Sequence, residues 1–348
     1  MSDPNQRLEA LRALLYDEPS ERAWAKACLA LDAWPQDEGL DLGLDYACGL
    51  LAAQREAWRA VVDFVPGRWA GDRSAGLPEP RWAVVEALAL ERWSAVLIAP
   101  AACVLGWPHD DPRRQPRWEA HPVTLTRPFL LCVEPVRRVL WEQVQDGARE
   151  PWIEERARAP DLSREEDLPE TGQPWASTLA FCNRLSSWCE LAPAYQFGLD
   201  DARNVVTWRG LDHEGWRLPT EAEWELACRA GWGEPPSWSY PGPAREDLFP
   251  AREAPPNRLG LFGMKGLALE WVWDAPSGDH TSASADPTGP LVVSASRPMP
   301  RRDRILKGAL FSAAADSPQW HPAWRSSMLE ATAYEGIAFR CARSLLLD

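Results

Sequence analysis

The residues that could bind a soft metal or pair a nucleophile with a base are few and dispersed along these 348 residues. The histidines are His109, His121, His213, His280 and His321. The cysteines are Cys28, Cys48, Cys103, Cys132, Cys182, Cys189, Cys228 and Cys341, with no Cys-x-x-Cys pair. Scattered in this way, the thiols read as reduced and mostly buried. HExxH, GxSxG and a phosphate-cradling Gly-Lys-Ser/Thr loop are all absent. Asp279–His280 with Ser282 and Ser284 supplies triad residue types, but GDHTSASADPTG reads as a turn-rich loop, and a triad is a matter of geometry rather than adjacency. Glu155 with Arg156 and the SREED run at 163–167 read as solvated charges.

One stretch is built for position rather than reaction. In WRLPTEAEWELACRAG (216–231), Pro219 ends an extended segment and Thr220 suits a helix N-cap. Glu223, three residues on, completes a capping box, and Glu221 and Glu223 sit at the positive end of the helix dipole. Trp224, Ala227 and Cys228 form an inward stripe, Arg229 falls in the last turn, and Gly231 supplies the stop.

The elements around it fall into two regions. Over 1–94, leucine, cysteine and tryptophan recur at helical spacing: Leu8, Leu11, Leu14 and Leu15, then Trp24, Cys28, Leu31 and Trp34, then Leu44, Cys48, Leu51, Trp58, Val61 and Val62. With RWAVVEALALERW as a fourth pattern, this region is predicted to be a helical bundle, suited to docking or adaptor use. From 95 the pattern changes. SAVLIAPAACVLGW and HPVTLTRPFLLCVEPV each read as β runs, followed by helical spacing in PVRRVLWEQVQDG and PWASTLAFCNRLSSWCEL. Short segments between Pro, Gly, Ser and Asp fill the rest. The 33 Pro and 21 Trp point to irregular connections stapled by large aromatic side chains.

The net charge of −14 argues against a general nucleic-acid binder and against docking on anionic lipid. No apolar run reaches the length of a membrane span. The polar, acidic start MSDPNQRLEALRALL carries no signal-peptide pattern, so a cytoplasmic location is expected.

WRLPTEAEWELACRAG resembles the hallmark of the formylglycine-generating-enzyme-like (sulfatase-modifying-factor) family, whose fold is a variant of the C-type lectin fold. Further segments match in order: VLIAPAACVLGW, HPVTLTRPFLLCVEPV, WASTLAFCNRLSSW, NRLGLFGMKGLALEWVWD (257–274), RILKGALF and GIAFRCARS. The resemblance implies an α+β chain, with a helical bundle over 1–94 and a lectin-like domain over 95–348 that is poor in regular secondary structure. It also implies where chemistry should be. The family's oxidases hold copper through two cysteines in the loop after the motif reading RILKGALF. Here that loop, SAAADSPQWHPAWRSSM (312–328), has none, and Gly308–Ala309 stands for the family's double glycine. The iron-dependent sulfoxide synthases that share the two-part layout draw histidines from the N-terminal bundle, whereas 1–94 contains none. The chain is therefore read as leaning away from catalysis.

No cofactor is expected, with calcium the one candidate. Glu270 remains at the family's calcium position, and Gly266 and Ala268 could offer carbonyls, but Gly263 stands where an Asn or Asp ligand belongs. The alternative is that hydrogen bonds to Glu270 simply pin the loop. The altered loop suggests another role, in which Trp320, His321, Trp324 and Arg325 contact a protein or peptide partner. Trp320 suits core or surface equally, while Trp324 and Arg325 fall in a stretch resembling the family's Arg-Ser-Ala segment and lean toward structure. The expected function is non-catalytic recognition or scaffolding in a bacterial signalling or immune system. A diverged oxidoreductase-like enzyme and a diversity-generating variable ligand-binding protein stand as alternatives.

Overall fold

The computed structural model describes residues 61–62, 95–98, 100–107, 119–146, 165–200, 203–229, 245–254, 256–257, 261–276, 284–289 and 303–346. The helical bundle expected over 1–94 lies outside them, apart from Val61 and Val62. Those two valines, placed on a helix by their spacing, form a short strand, β1 (Val61–Val62), paired antiparallel to β2 (Ala95–Ile98). Paired β-branched residues suit a strand as well as a helix face, and spacing alone does not decide between them.

Each of the two predicted β runs is in fact two strands, broken near a proline. The first splits into β2 and β3 (Ala101–Leu105) around Pro100. The second splits into β4 (His121–Leu125) and β5 (Phe129–Cys132) around Pro128. A residue without a backbone N–H interrupts a ladder, so the chain changes sheets there. β2 joins β5, whereas β3 joins β4.

Helices α1 (Arg138–Asp146) and α2 (Trp175–Trp188) follow, then a ribbon of β6 (Tyr195–Asp200) and β7 (Arg203–Trp208), then α3 (Glu221–Arg229). The remaining strands are short: β8 (Leu269–Trp271), β9 (Ser284–Ala285), β10 (Asp303–Gly308), β11 (Ser326–Leu329), β12 (Ile337–Phe339) and β13 (Ala342–Ser344). They complete sheets of order β1-β2-β5-β13, β11-β10-β8-β12 and β3-β4-β9. No helix among the described residues is long and apolar enough to cross a membrane.

Tryptophan does the stapling that its abundance suggests. Trp107, Trp175, Trp216, Trp224, Trp271 and Trp273 are fully buried. Trp273 is a hub, its ring 5.3 Å from Trp175, 5.4 Å from Tyr195 and 5.1 Å from Trp208. Aromatic pairs at such distances add about 0.5–1.5 kcal/mol each beyond area burial. Around this hub α2 packs against the β8–β12 sheet. On the other side Trp224, Ala227 and Cys228 of α3 pack with Phe129, Leu131, Val272 and Ile305. Helix α3 is thereby fixed between the core and the loop that follows β10.

Candidate functional site

The N-terminus of α3 has the predicted capping box. The Thr220 N–H donates to Glu223 Oε2 at 2.8 Å, and the Glu223 N–H donates to Thr220 Oγ1 at 3.1 Å. Glu223 does more than cap. Arg217 donates to both of its oxygens, at 2.7 and 2.6 Å, from a fully buried position. Burial works against the guanidinium charge, but the Glu223 carboxylate outweighs it and holds Arg217 above its ordinary value.

The other glutamates of α3 are also buried, which helix-dipole reasoning alone does not anticipate. Glu221 and Glu225 are one turn apart and share Lys307 of β10, whose Nζ lies 3.4 Å from Glu221 Oε1 and 3.1 Å from Glu225 Oε2. Glu225 also accepts from Gly106 N–H and Arg229 Nε, each at 2.8 Å. Burial would raise its carboxyl, yet Lys307, Arg229 and the Gly106 N–H together hold it well below the carboxylate range. Asp274 accepts the Glu221 N–H at 2.7 Å. Burial first, and the Glu221 charge second, push its carboxyl up to about 7.

The segment 309–325 closes over this cluster. Ala309, Ala313 and Trp320 pack into a small apolar plug. Trp320 Nε1 donates to the Ala314 carbonyl at 2.6 Å, and Lys265 Nζ donates to the Trp320 carbonyl at 3.0 Å. His321 stacks on Trp107 with ring centroids 3.9 Å apart, and its Nδ1 accepts from the Ala323 N–H at 3.1 Å. Arg325 Nε lies 2.8 Å from Glu221 Oε1, and Trp324 rests half-buried on the main core.

These positions show where the expected contact residues sit. Trp320 is 2% exposed and His321 1%, so neither offers area to a partner in this conformation. Both turn inward because the loop has its own apolar plug and Trp107 presents a ring face. Arg325 is spent on an ion pair. The outward residues of the loop are instead Ser312, Ala314, Ala315, Asp316 and Pro318.

At the expected calcium position the carboxylate is already engaged. Arg340 donates to both Glu270 oxygens at 2.7 Å, and Trp224 Nε1 adds a third bond at 2.8 Å, so a guanidinium stands where a cation would need free carboxylate oxygens. Gly263 has φ +66°, and a Cβ there would lie 2.5 Å from Leu267 Cδ2. Gly266 donates its N–H to the Ala309 carbonyl at 3.0 Å, while the Ala268 carbonyl lies 3.1 Å from where a Cβ on Gly308 would sit. Among the described residues no cluster of His, Cys, Asp or Glu could hold a metal ion. His280 and Ser282 lie outside the described residues.

The sequence reading missed Lys307, Asp274 and Arg340. A signal existed: Glu221, Glu223 and Glu225 alternate along a helix whose other residues before Arg229 are apolar, and Lys307 directly follows the apolar pair Ile305–Leu306. Charges inside such patterns need buried partners.

The comparisons agree with this scaffold. The family described as sulfatase-modifying factor enzyme 1-like domain matches residues 96–345, and the chain belongs to it. A formylglycine-generating enzyme of Bos taurus is 30% identical over 174 residues, covering 43% of this chain and 43% of that protein. A Mus musculus relative named inactive C-alpha-formylglycine-generating enzyme 2 is 30% identical over 176 residues, covering 44% of this chain and 49% of its own length. The chain thus spans less than half the length of these curated relatives. Among solved structures, Treponema denticola variable protein 1 aligns with TM-score 0.56 at 23% identity, covering 72% of this chain and 95% of that one. PvdO from Pseudomonas aeruginosa aligns with TM-score 0.51 at 18% identity, covering 72% and 94%. At these identities the structural matches establish the fold alone.

Proposed function

We propose that this chain is a non-catalytic recognition or scaffolding member of its family that binds a protein or peptide partner in a bacterial cytosol, within a signalling or immune assembly. One observation carries the reading: the loop after β10 contains no thiol, and its interior is filled by Ala309, Ala313 and Trp320. A soft-metal centre needs thiolates. That one relative is named as inactive supports the reading. Contact falls to the outward edge, Ser312, Ala314, Ala315, Asp316 and Pro318, whose small side chains let a larger partner group approach closely. Residues 1–94 would dock the same assembly.

The test has two arms. The full chain is incubated with cysteine-containing peptides under air, with and without added copper. Oxygen uptake or conversion of cysteine to an aldehyde overturns the reading. Partners that co-purify are then challenged with Ala314→Arg and Asp316→Arg, which should weaken binding at least tenfold, as expected when a contact edge receives a bulky misplaced charge. Unchanged binding by both variants removes the loop edge as the contact surface.

A diverged enzyme is the second reading, favoured by the Asp274 carboxyl pushed up to about 7. It requires substrate access to a carboxyl that is 5% exposed.

A further inference from the structure

We infer that the open edge of β11 is a docking site for an extended peptide, which adds a strand to the β11-β10-β8-β12 sheet and carries a lysine or arginine toward Asp303. This surface is not the loop edge at 312–318, and the inference stands whether or not that edge binds a partner.

β11 ends its sheet, with β10 on one side and no described strand on the other. The direction of its backbone groups follows from β10. The Ile305 N–H donates to the Asp274 carbonyl at 2.9 Å, and the Ile305 carbonyl accepts from the Val272 N–H at 3.3 Å, both on the β8 side. Residues along an antiparallel ladder alternate between sides, so Arg304 and Leu306 bond toward β11, where Met328 and Ser326 are their partners. Ser327 and Leu329 therefore direct their backbone groups to the open edge. The Leu329 carbonyl accepts the Thr332 N–H at 2.8 Å, which leaves the Ser327 N–H, the Ser327 carbonyl and the Leu329 N–H to meet an added strand.

Both faces of β11 are incompletely covered. On one, Ser327 and Leu329 are exposed, Leu329 to 42%. On the other, Met328 is only partly buried against the main core, as is Trp324 just before the strand. A strand laid along the edge would cover these residues with its alternate side chains. Open edges are commonly blunted by charged residues or proline, and Ser326–Leu329 contains neither.

Charge selects the occupant. Asp303 lies directly across from Leu329, so the two share a face, and Asp303 is half-buried. Glu330 follows β11 with its side chain 25% exposed. The nearby cations are turned inward: Arg304 is 2% exposed, and Arg325 is held by Glu221. Among the described residues the edge is thus negative. Arg301 and Arg302 lie outside them, and the glutamate peptide below reads their effect. A lysine or arginine on the added strand can lay its aliphatic stem on Leu329 and bring its charge to Asp303. A second copy fits less well, because its β11 would bring the same acidic edge. A strand of four residues also spans only about 13 Å, and pairing through it alone falls short of the roughly 1,200 Å² of a stable interface.

The test is binding of the full chain to a capped, fluorescein-labelled octapeptide of alternating valine and lysine, followed by fluorescence anisotropy. The same peptide with glutamate for lysine should bind about tenfold more weakly or worse. So should a peptide N-methylated at every amide, which keeps the side chains but has no N–H to donate. Ser327→Pro removes an outward N–H and no bond to β10, and should also lower affinity about tenfold or more. Ala314→Arg, on the loop edge, should leave affinity unchanged. No binding at millimolar peptide, equal binding of the N-methylated peptide, or equal or tighter binding of the glutamate peptide overturns the inference. Loss of binding in Ala314→Arg with none in Ser327→Pro assigns the peptide to the loop edge and overturns it too. A chain that sediments as a dimer, and as a monomer in Ser327→Pro, puts a second copy on β11 in place of the peptide. Should Ser327→Pro fail to fold, the N-methylated peptide still decides.

Discussion

Arg340 grips Glu270 through both carboxylate oxygens at 2.7 Å, with neither side chain open to water. Glu270 lies in the segment that resembles the family's calcium loop, and Arg340, from a distant part of the chain, brings to it the positive charge that a bound cation would bring. Removing one partner leaves the other charged and buried. Glu270→Gln should therefore cost about 3–5 kcal/mol. Replacing both residues with apolar ones of similar size should recover most of that loss. Urea denaturation of the single and double variants measures both effects, and a near-neutral Glu270→Gln would show that the pair is not sealed.

Restoring the missing family ligand should not restore calcium binding. In Gly263→Asn the backbone at φ +66° is tolerable for asparagine, but the new Cβ would lie 2.5 Å from Leu267 Cδ2, and Glu270 would still face Arg340. The variant should lose stability, and neither it nor the parent chain should gain in Tm on adding millimolar calcium. A calcium-dependent rise confined to the variant would mean that Arg340 yields to the metal.

The capping box offers a graded comparison within one motif. Thr220→Ala removes an N-cap oxygen from one helix N–H and should cost about 1 kcal/mol. Glu223→Ala removes the other half of the box and also strands the buried Arg217 guanidinium, so about 3–5 kcal/mol is expected. Equal losses in chemical denaturation would mean that Arg217 finds another partner.

How much of this could be read in advance follows from the range of each interaction. The capping box at Thr220 and Glu223 is local, set by residues three apart, and its residue types announce it. The inward stripe of Trp224, Ala227 and Cys228 follows from helical periodicity. The fate of Glu270 depends on Arg340, 70 residues away in sequence, and that of Glu221 on Lys307, 86 residues away. No spacing rule connects such pairs. The burial of Trp320 and His321 was not legible for a related reason. Tryptophan and histidine types suit a contact surface and a core equally, and the ring that takes His321 inward, Trp107, belongs to a distant strand end. The splitting of the β runs was legible at Pro100 and Pro128, which the alternation pattern outweighed.

Stability should carry the signature of Asp274 with a definite sign. Its folded-state carboxyl is pushed up to about 7 from an ordinary 3.8, so the folded chain holds a proton that the unfolded chain releases. That contribution is fully present below about pH 4 and is lost as pH rises toward 7. Asp274→Asn lacks it. The stability of the variant relative to the parent should therefore increase from pH 4 to pH 7 and level off above that, by up to about 4 kcal/mol if the whole difference is expressed. Denaturation midpoints of both proteins at intervals across pH 4–8 give the curve. A flat difference would place the Asp274 carboxyl near its ordinary value.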